Sequence, residues 1–163
     1  MAEFQVRLAA ASDHEGLIAI LRRMEQHYDA AFSCDEDTAR RRIGAAMFGP
    51  RPAALAFIAV EAGETVGIAV CNYLFPTADF RLGIYLKDVF VDAAARNRGI
   101  GRALIGAVIG HAAAGGFARV DWTTETDNQA AAHLYRALGA KEVGKHYFRV
   151  REGDYDAFLA PID

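Results

Sequence analysis

Residues 96 to 102, Arg-Asn-Arg-Gly-Ile-Gly-Arg, combine two glycines with three arginines where a helical apolar pattern begins. Glycine lets a backbone approach a ligand closely, and the unpaired N–H groups at a helix start bind anions. A helix N-terminus usually prefers Asp or Glu, each worth about 0.3–1 kcal/mol, but this one has neither. We therefore interpret the segment as a phosphate-binding turn. The alternative is a turn that is merely flexible because of its glycines and whose arginines are solvated, since short glycine motifs are common by chance.

The two common nucleotide motifs do not fit this turn. The dinucleotide fingerprint needs a third glycine at position 104, which is Leu104. The P-loop needs Gly-Lys followed by Ser or Thr, and that sequence is absent. The strand–loop–helix context is retained, but arginines replace the lysine.

The elements that position this turn follow from apolar periodicity and from capping residues. We predict strands at 3–9, 54–62, 65–75, 81–91 and 117–123, and a terminal hairpin from two segments around residues 151–154. The strand at 81–91 is apolar on both faces, so we expect it inside the sheet. Helices are predicted at 12–29, 33–48, 99–115 and 126–139. Three of them begin with a capping box: Ser12 with Glu15, Ser33 with Glu36, and Thr126 with Gln129.

The composition limits the classes of function. With 163 residues, we expect a single domain over residues 1–163, of the mixed-sheet α/β (α+β) class. The net charge of −3 argues against nucleic acid as a partner. Cys34 and Cys71 form neither a disulfide framework nor a metal-ligand cluster, so we expect no metal. Neither a secretory signal nor a membrane span is visible, and we expect a cytoplasmic protein.

Two segments carry a family resemblance. Arg96-x-x-Gly99-Ile100-Gly101, directly after a strand, resembles the acetyl-CoA pyrophosphate loop of the GNAT superfamily of N-acetyltransferases. Residues 127–140 resemble that family's Asn-x-x-Ala-x-x-x-Tyr helix. The strand sequence YLKDVFV is similar to the branch that includes spermidine/spermine and thialysine acetyltransferases. The resemblance implies a mixed, mostly antiparallel sheet of about six to seven strands flanked by about four helices.

The resemblance also implies where acetyl-CoA binds. Backbone amides of the loop would hold the pyrophosphate, its arginines would add positive charge, and the preceding strand would bind the pantetheine arm. The amide of Val91 would also stabilise the negative charge that develops on the acetyl carbonyl. These valines are equally explained as the core of a central strand. The cofactor-binding residues implied are Val89, Phe90, Val91, Arg96, Asn97, Arg98, Gly99, Ile100, Gly101, Arg102, Asn128 and Tyr135.

Tyr135 is implied as the acid that protonates the leaving CoA thiolate. A phenol has an ordinary pKa of about 10 and is protonated at neutral pH, so it can donate a proton. The alternative is core packing, because Tyr135 lies on a helical apolar stripe with Ala131, Leu134 and Leu138. For Asn128, the alternative to binding CoA is help in capping the helix.

The general base is open, because Lys87 stands where the polyamine-type pattern has a glutamate. A protonated lysine cannot act as a base and repels a cationic amine. Asp88, Glu125 or a chain of waters are the alternatives, and we take Asp88 as the candidate. In a regular strand Asp88 would face away from Lys87, but a β-bulge would change that. A strand end that reaches solvent would also explain both charges.

Together these residues predict an enzyme that transfers acetyl directly from acetyl-CoA to a primary amine. The acceptor is open: a small amine, a polyamine, an amino acid or a protein lysine. Acidic residues in 28–39 and Asp79 would attract a cationic amine, although helix-start acids explain Asp35 to Asp37 equally well. The alternative function is an acyl-CoA-binding sensor or interaction domain of the same fold. A longer acyl donor is also open, and a homodimer is expected from fold-level analogy.

Overall fold

The computed structural model describes residues 3–29 and 34–159. Within these ranges there are five β-strands: β1 (Gln5–Leu8), β2 (Ala54–Glu61), β3 (Glu64–Leu74), β4 (Gly83–Val91) and β5 (Val120–Trp122). The same ranges hold five α-helices: α1 (His14–His27), α2 (Glu36–Ile43), α3 (Ile100–Ala114), α4 (Gln129–Ala137) and α5 (Tyr155–Leu159). One π-helical turn, Gly44–Phe48, continues α2.

The strands form a single sheet in chain order. Strands β1 to β4 pair antiparallel, and β5 pairs parallel with β4. This confirms the predicted mixed, mostly antiparallel α/β architecture, with five described strands instead of six to seven. Strand β4 lies inside the sheet, between β3 and β5, as its two apolar faces predict.

The chain forms two compact units, one ending at Thr123 and the other beginning at Thr124. The first unit holds the sheet and helices α1, α2 and α3. The second holds α4 and α5. That residues 1–163 form a single domain stays a prediction.

One face of the sheet packs against α1. Leu17 and Ile20 of that helix are fully buried against Ile58, Ile68 and Phe90 of three neighbouring strands. Burying a side chain of this size contributes about 1.5–3 kcal/mol, so this cluster is a main source of the unit's stability.

The opposite face packs against α3, whose Ile100, Leu104 and Val108 are almost completely buried. Gly67 of β3 lies directly beneath the start of this helix. A Cβ atom at position 67 would lie 3.1 Å from Ile100 Cγ2 and 3.2 Å from Leu104 Cδ1. The missing side chain therefore lets α3 lie close to the sheet.

Strand β4 contains a β-bulge at its centre. Val70 of β3 lies opposite Asp88, but the next residue, Cys71, lies opposite Leu86, so Lys87 is an extra residue. A bulge reverses the side-chain alternation on one side of it. Asp88 therefore shares the α1 face of the sheet with Phe90, while Leu86 lies on the α3 face.

The predicted terminal hairpin is wrong. Among the described residues no strand follows Trp122, and Tyr155–Leu159 is a helix. Val143, Tyr147 and Phe148 are exposed. Their apolar pattern satisfied the local requirement for a strand, but a strand also needs a neighbour for its backbone N–H and C=O groups. No described strand pairs with this segment.

The capping box predicted at Ser12 is wrong as well. Residues Ala11–Asp13 form a 3₁₀ turn, and the Asp13 carboxylate accepts a hydrogen bond from Ala10 N at 2.8 Å. The Glu15 side chain binds Arg40 of α2 instead. Asp13 stands at the N-cap position of α1, but its side chain accepts no hydrogen bond from the N–H groups of that helix.

The other two helix starts are capped by neighbours of the predicted residues. At α2, Ser33 lies outside the described residues, and Asp35 Oδ1 accepts from Thr38 N at 2.7 Å. At α4, Asn128 Oδ1 accepts from Ala131 N at 3.1 Å. Gln129 donates to the carbonyl of Thr126, so the predicted pair is in contact, but Thr126 is not the cap.

Candidate functional site

The turn between β4 and α3 has an unusual backbone. After a short 3₁₀ turn at Ala93–Ala95, Asn97 and Gly99 have φ values of 61° and 82°. Both values lie in the left-handed region, which glycine adopts freely and asparagine tolerates better than most residues. Helix α3 begins directly afterwards at Ile100. The backbone therefore turns sharply where the sequence predicts a phosphate loop.

Most N–H groups of this turn have no described acceptor. Gly99 is the N-cap, no side chain caps the helix, and its first turn contains no acid. Within residues 3–29 and 34–159, no protein group accepts a hydrogen bond from the N–H groups of Asn97 and of residues 99 to 102. Such N–H groups, together with the positive end of the helix dipole, form an anion site.

Gly101 shows that space has been left beside these N–H groups. A Cβ atom at position 101 would meet only Val91 Cγ2, at 3.9 Å, which is an ordinary contact. Its helical backbone does not require glycine either, because its φ is not positive. No contact among the described residues therefore requires a glycine here, and a ligand can approach this backbone closely.

Two of the three loop arginines are held by the protein itself. Arg96 donates from Nε to the carbonyl of Val91 at 3.0 Å, and its Nη2 lies 3.2 Å from His27 Nε2. The Arg96 guanidinium also lies over the Phe90 ring, 5.8 Å from its centre. Arg96 therefore braces the loop against β4 and α1.

Arg98 forms an ion pair with Glu61 at the end of β2, with Nη1 donating to Oε2 at 2.8 Å. The hydrogen bond from Arg98 lowers the pKa of the Glu61 carboxyl. Glu61 balances the charge of Arg98 and ties the loop to the sheet.

Arg102 is different from the other two arginines. It is exposed on the first turn of α3 and has no hydrogen-bond or ion-pair partner within the described ranges. Of the three arginines, it is the one with no described hydrogen-bond or ion-pair partner, whereas Arg96 and Arg98 both contact the protein.

Strand β4 presents a free edge next to this turn. Asp92 N donates to Val66 O across the β3 side at 2.9 Å. Because the backbone groups of successive residues point to alternate sides, those of Val89 and Val91 point away from β3. On that side β5 pairs only with Ile84–Leu86. In the described chain, the edge of β4 beyond the bulge therefore has no neighbouring strand.

Lys87 and Asp88 lie side by side at the bulge. Lys87 Nζ and Asp88 Oδ1 are 3.3 Å apart, and the side chains are 52% and 30% exposed. In a regular strand adjacent side chains would point to opposite faces. The bulge thus brings both charges together on the α1 face, close to the free edge of β4.

The remaining candidate residues lie in the second unit. Asn128 caps α4, which supports the capping role, but its side-chain amide N–H groups are not used by that hydrogen bond. Tyr135 is half-buried on α4, as are Leu134 and Leu138 of the same apolar stripe. Glu125 lines a shallow cavity of about 400 Å³ with Tyr147, Arg149, Arg151 and Asp154.

The acidic residues expected to attract an amine have other partners. Asp35 caps α2, and the N–H and hydroxyl of Thr38 lower its pKa. Glu36 lies 3.6 Å from Arg40, and Asp79 lies 3.9 Å from Arg81. The helix-start interpretation therefore fits Asp35 directly.

Three further observations concern the classes of function considered from the sequence. In the described ranges, no group of three or more His, Cys, Asp or Glu side chains is arranged to hold a metal ion. No described helix is long and apolar enough to cross a membrane. Burial raises the pKa of the Cys71 thiol to about 12, so this cysteine stays protonated and is not a nucleophile.

Two residues that hold the loop were not predicted from the sequence. Glu61 and His27 contact Arg98 and Arg96 from distant parts of the chain. No local pattern marks either of them, because each gains its role only through the pairing of the sheet and the packing of α1.

A mixed sheet whose bulged inner strand leads into an uncapped, glycine-rich helix start is the arrangement expected of an acetyl-CoA-dependent acetyltransferase. Residues 21–140 match the model of the acetyltransferase (GNAT) family, and the chain belongs to that family.

Two curated relatives and one solved structure extend this comparison. Mycothiol acetyltransferase from Gordonia bronchialis is 40% identical over 99 residues, which are 60% of this chain and 30% of that protein. N-alpha-acetyltransferase RimI from Mycobacterium tuberculosis is 36% identical over 94 residues, 56% of either chain. The matched stretch thus covers less than two thirds of each relative. An integron cassette protein from the mobile metagenome of V. cholerae shares the fold, with a TM-score of 0.84 at 24% identity over 99% of both chains.

These matches confirm the predicted family. Neither relative is named as a polyamine acetyltransferase, so the assignment to the spermidine/spermine and thialysine branch stays a prediction.

Proposed function

We propose that this protein is an N-acetyltransferase that moves the acetyl group of acetyl-CoA directly to a primary amine. The observation that carries the proposal is the free N–H groups of Asn97 and of residues 99 to 102, next to the free edge of β4. The family supports the same reaction, because its printed description is that of an acetyltransferase.

The turn fits the pyrophosphate of CoA. The N–H groups of Asn97 and of residues 99 to 102 lie at the positive end of the α3 dipole. Gly101 leaves room for a phosphate against the backbone. Arg102 supplies a positive charge with no described protein partner, while Arg96 and Arg98 hold the loop through their contacts with the protein.

The free edge of β4 fits the pantetheine arm. The arm carries amide groups, which would pair with the backbone of Val89 and Val91 as a neighbouring strand does. Arg96 already occupies the carbonyl of Val91 and fixes this peptide in place. The N–H of Val91 is then preorganised to stabilise negative charge on the acetyl oxygen. Phe90, between them, points into the α1 core.

The chemistry requires an activated acetyl group, a base and an acid. Acetyl-CoA, when bound, supplies the acetyl group as a thioester. Asp88 accepts a proton from the acceptor amine, because the bulge brings its carboxylate to the α1 face beside the free edge. Tyr135 donates a proton to the sulfur that leaves. Holding amine and thioester side by side supplies much of the rate.

The test of this proposal is thiol release from acetyl-CoA with a panel of amines, for wild type and Tyr135→Phe. We expect turnover on one class of amine and a drop of about a hundredfold or more in the variant, which is typical for loss of a general acid. Affinity for CoA, measured by calorimetry, is expected to stay within about twofold, because the phenol oxygen acts on the leaving sulfur only.

Tyr155→Phe is the matched control, since Tyr155 is an exposed tyrosine of the same unit. Equal turnover in wild type and Tyr135→Phe would remove Tyr135 from the acid role. CoA binding without turnover on any amine would favour the alternative of an acyl-CoA sensor.

A further inference from the structure

We propose that the acceptor is an α-amino acid, whose carboxylate is bound by Lys87 while its amino group lies at Asp88. This inference rests on the proposed acetyl transfer and adds the class of acceptor. It depends on one structural feature, the bulge that places a lysine and an aspartate next to each other.

The geometry of the pair fits a molecule with two opposite charges. Lys87 Nζ and Asp88 Oδ1 are 3.3 Å apart, and both side chains are partly exposed, so a ligand can reach both groups. In an α-amino acid the ammonium and the carboxylate are separated by a single carbon atom. Each charge of the ligand can thus contact the opposite charge of the protein at the same time. Binding of the amino acid thus replaces the ion pair between Lys87 and Asp88 by two ion pairs between ligand and protein.

The charge of Lys87 selects against other amines. An acceptor with only positive charges, such as a polyamine, is attracted by Asp88 and repelled by Lys87 to a similar extent. A carboxylate beside the amino group turns the repulsion into attraction.

Two neutral side chains next to the pair on this face are already hydrogen-bonded. Tyr85, on the same face of β4, has its hydroxyl 2.9 Å from Thr123 Oγ1. Asn72, opposite Tyr85 on β3, donates to the carbonyl of Ala53 at 3.2 Å. Among the described residues, Lys87 and Asp88 form no ion pair other than with each other. Both charges are therefore available to a ligand once their mutual contact is exchanged.

The experiment compares free amino acids with their carboxamides as acceptors in the thiol-release assay. Each pair has the same amino group and side chain and differs in the carboxylate. We expect kcat/KM to be about ten- to a hundredfold higher for the acids, as for a charge-assisted hydrogen bond. In Lys87→Gln this preference is expected to disappear, and in Lys87→Glu diamines such as putrescine are expected to become better acceptors than the acids.

Lys141→Gln is the matched control, because it removes the same charge from an exposed lysine outside the proposed site. Equal rates for acids and carboxamides in wild type, or an unchanged preference in Lys87→Gln, would overturn the inference while leaving acetyl transfer intact. Failure of the proposed function is a different result: no thiol release with any amine, whether or not CoA binds.

A second measurement tests recognition of the acceptor separately from turnover. Calorimetry of the protein with CoA present measures binding of the amino acid and of its carboxamide directly. Tighter binding of the acid that is lost in Lys87→Gln supports the inference, and absence of any difference overturns it.

Discussion

The starts of α2 and α3 treat their backbone N–H groups in opposite ways. At α2 the Asp35 carboxylate accepts the N–H of Thr38, and Asn128 caps α4 in the same way. At α3 no described side chain serves this purpose, and Gly99 stands in the capping position. The start of α1 has no side-chain cap into the helix either, but the Asp13 carboxylate there binds the N–H of Ala10 and the side chain of Arg7. A capped start satisfies its N–H groups without a ligand, whereas free N–H groups can bind an anion.

The missing cap has a cost, and contacts behind the helix offset it. Losing an N-cap side chain costs about 1 kcal/mol. Three almost fully buried side chains of α3, Ile100, Leu104 and Val108, each contribute more than that. The comparison therefore separates two functions: the buried face holds α3 in place, and the exposed start is left for a ligand.

The strongest test of this comparison is Gly101→Glu. The new carboxylate would lie where a phosphate is expected, and we predict a loss of CoA affinity of at least about a hundredfold, because close like charges cost several kcal/mol. The same change should stabilise the CoA-free protein by about 1 kcal/mol, since glutamate is a better helix former than glycine and suits a helix start. Calorimetry and urea unfolding measure the two effects.

Gly106→Glu is the control for this variant. Gly106 is an exposed glycine further along α3 with open space around it. We expect a similar gain in stability with normal CoA binding. Normal CoA binding by Gly101→Glu would contradict the proposal that the start of α3 binds the phosphate of CoA.

A finer test separates the arginines of this helix start. Arg102→Gln should weaken CoA binding by about three- to tenfold with unchanged stability, because its exposed charge has no described protein partner. Arg98→Gln should mainly lower stability, because it breaks the ion pair with Glu61. We expect a lower melting temperature for this variant. Binding and thermal melts of the two variants, side by side, distinguish a ligand contact from a brace. Equal effects of the two variants on CoA affinity and on melting temperature would contradict the different roles of Arg102 and Arg98.

The smallest expected effect concerns the ion pair of Arg7 with Asp13, just before α1. The hydrogen bond from Arg7 lowers the pKa of Asp13, so this carboxylate stabilises the fold above its ordinary pKa of about 4. That contribution is lost as the pH falls through the lower pKa of the folded state. Arg7→Gln should therefore be slightly less stable than wild type at pH 7, and the difference should shrink on acidification toward pH 2. Urea unfolding across this range checks it, and a difference that grew on acidification would contradict it.

The comparison also shows what local sequence can predict. The uncapped start of α3 was predictable, because the absence of any acid near Gly99 and Gly101 is visible in the sequence itself. The identity of the caps at the other helices was not. Before α1 it is Asp13 and not Ser12 that accepts a backbone hydrogen bond, at α4 it is Asn128 and not Thr126, and the backbone path decides between these neighbours. That path depends on how each helix packs, which the sequence does not state.

Features that depend on strand pairing were predicted least well. The alternation in residues 142–150 satisfied every local criterion for a strand, but no described strand pairs with it. The bulge at Lys87 was foreseen only as a condition under which Asp88 could face Lys87. Its position is set by the register between β3 and β4, a relation between residues that lie far apart in the chain.

Gly67 has a consequence that reaches beyond packing. Any side chain there must displace Ile100 or Leu104 by a few tenths of an ångström, and with them the first turn of α3. The N–H groups that we propose to bind the phosphate would shift together with this turn. A substitution at position 67 is therefore expected to alter ligand binding at the start of α3, although it is made inside the sheet.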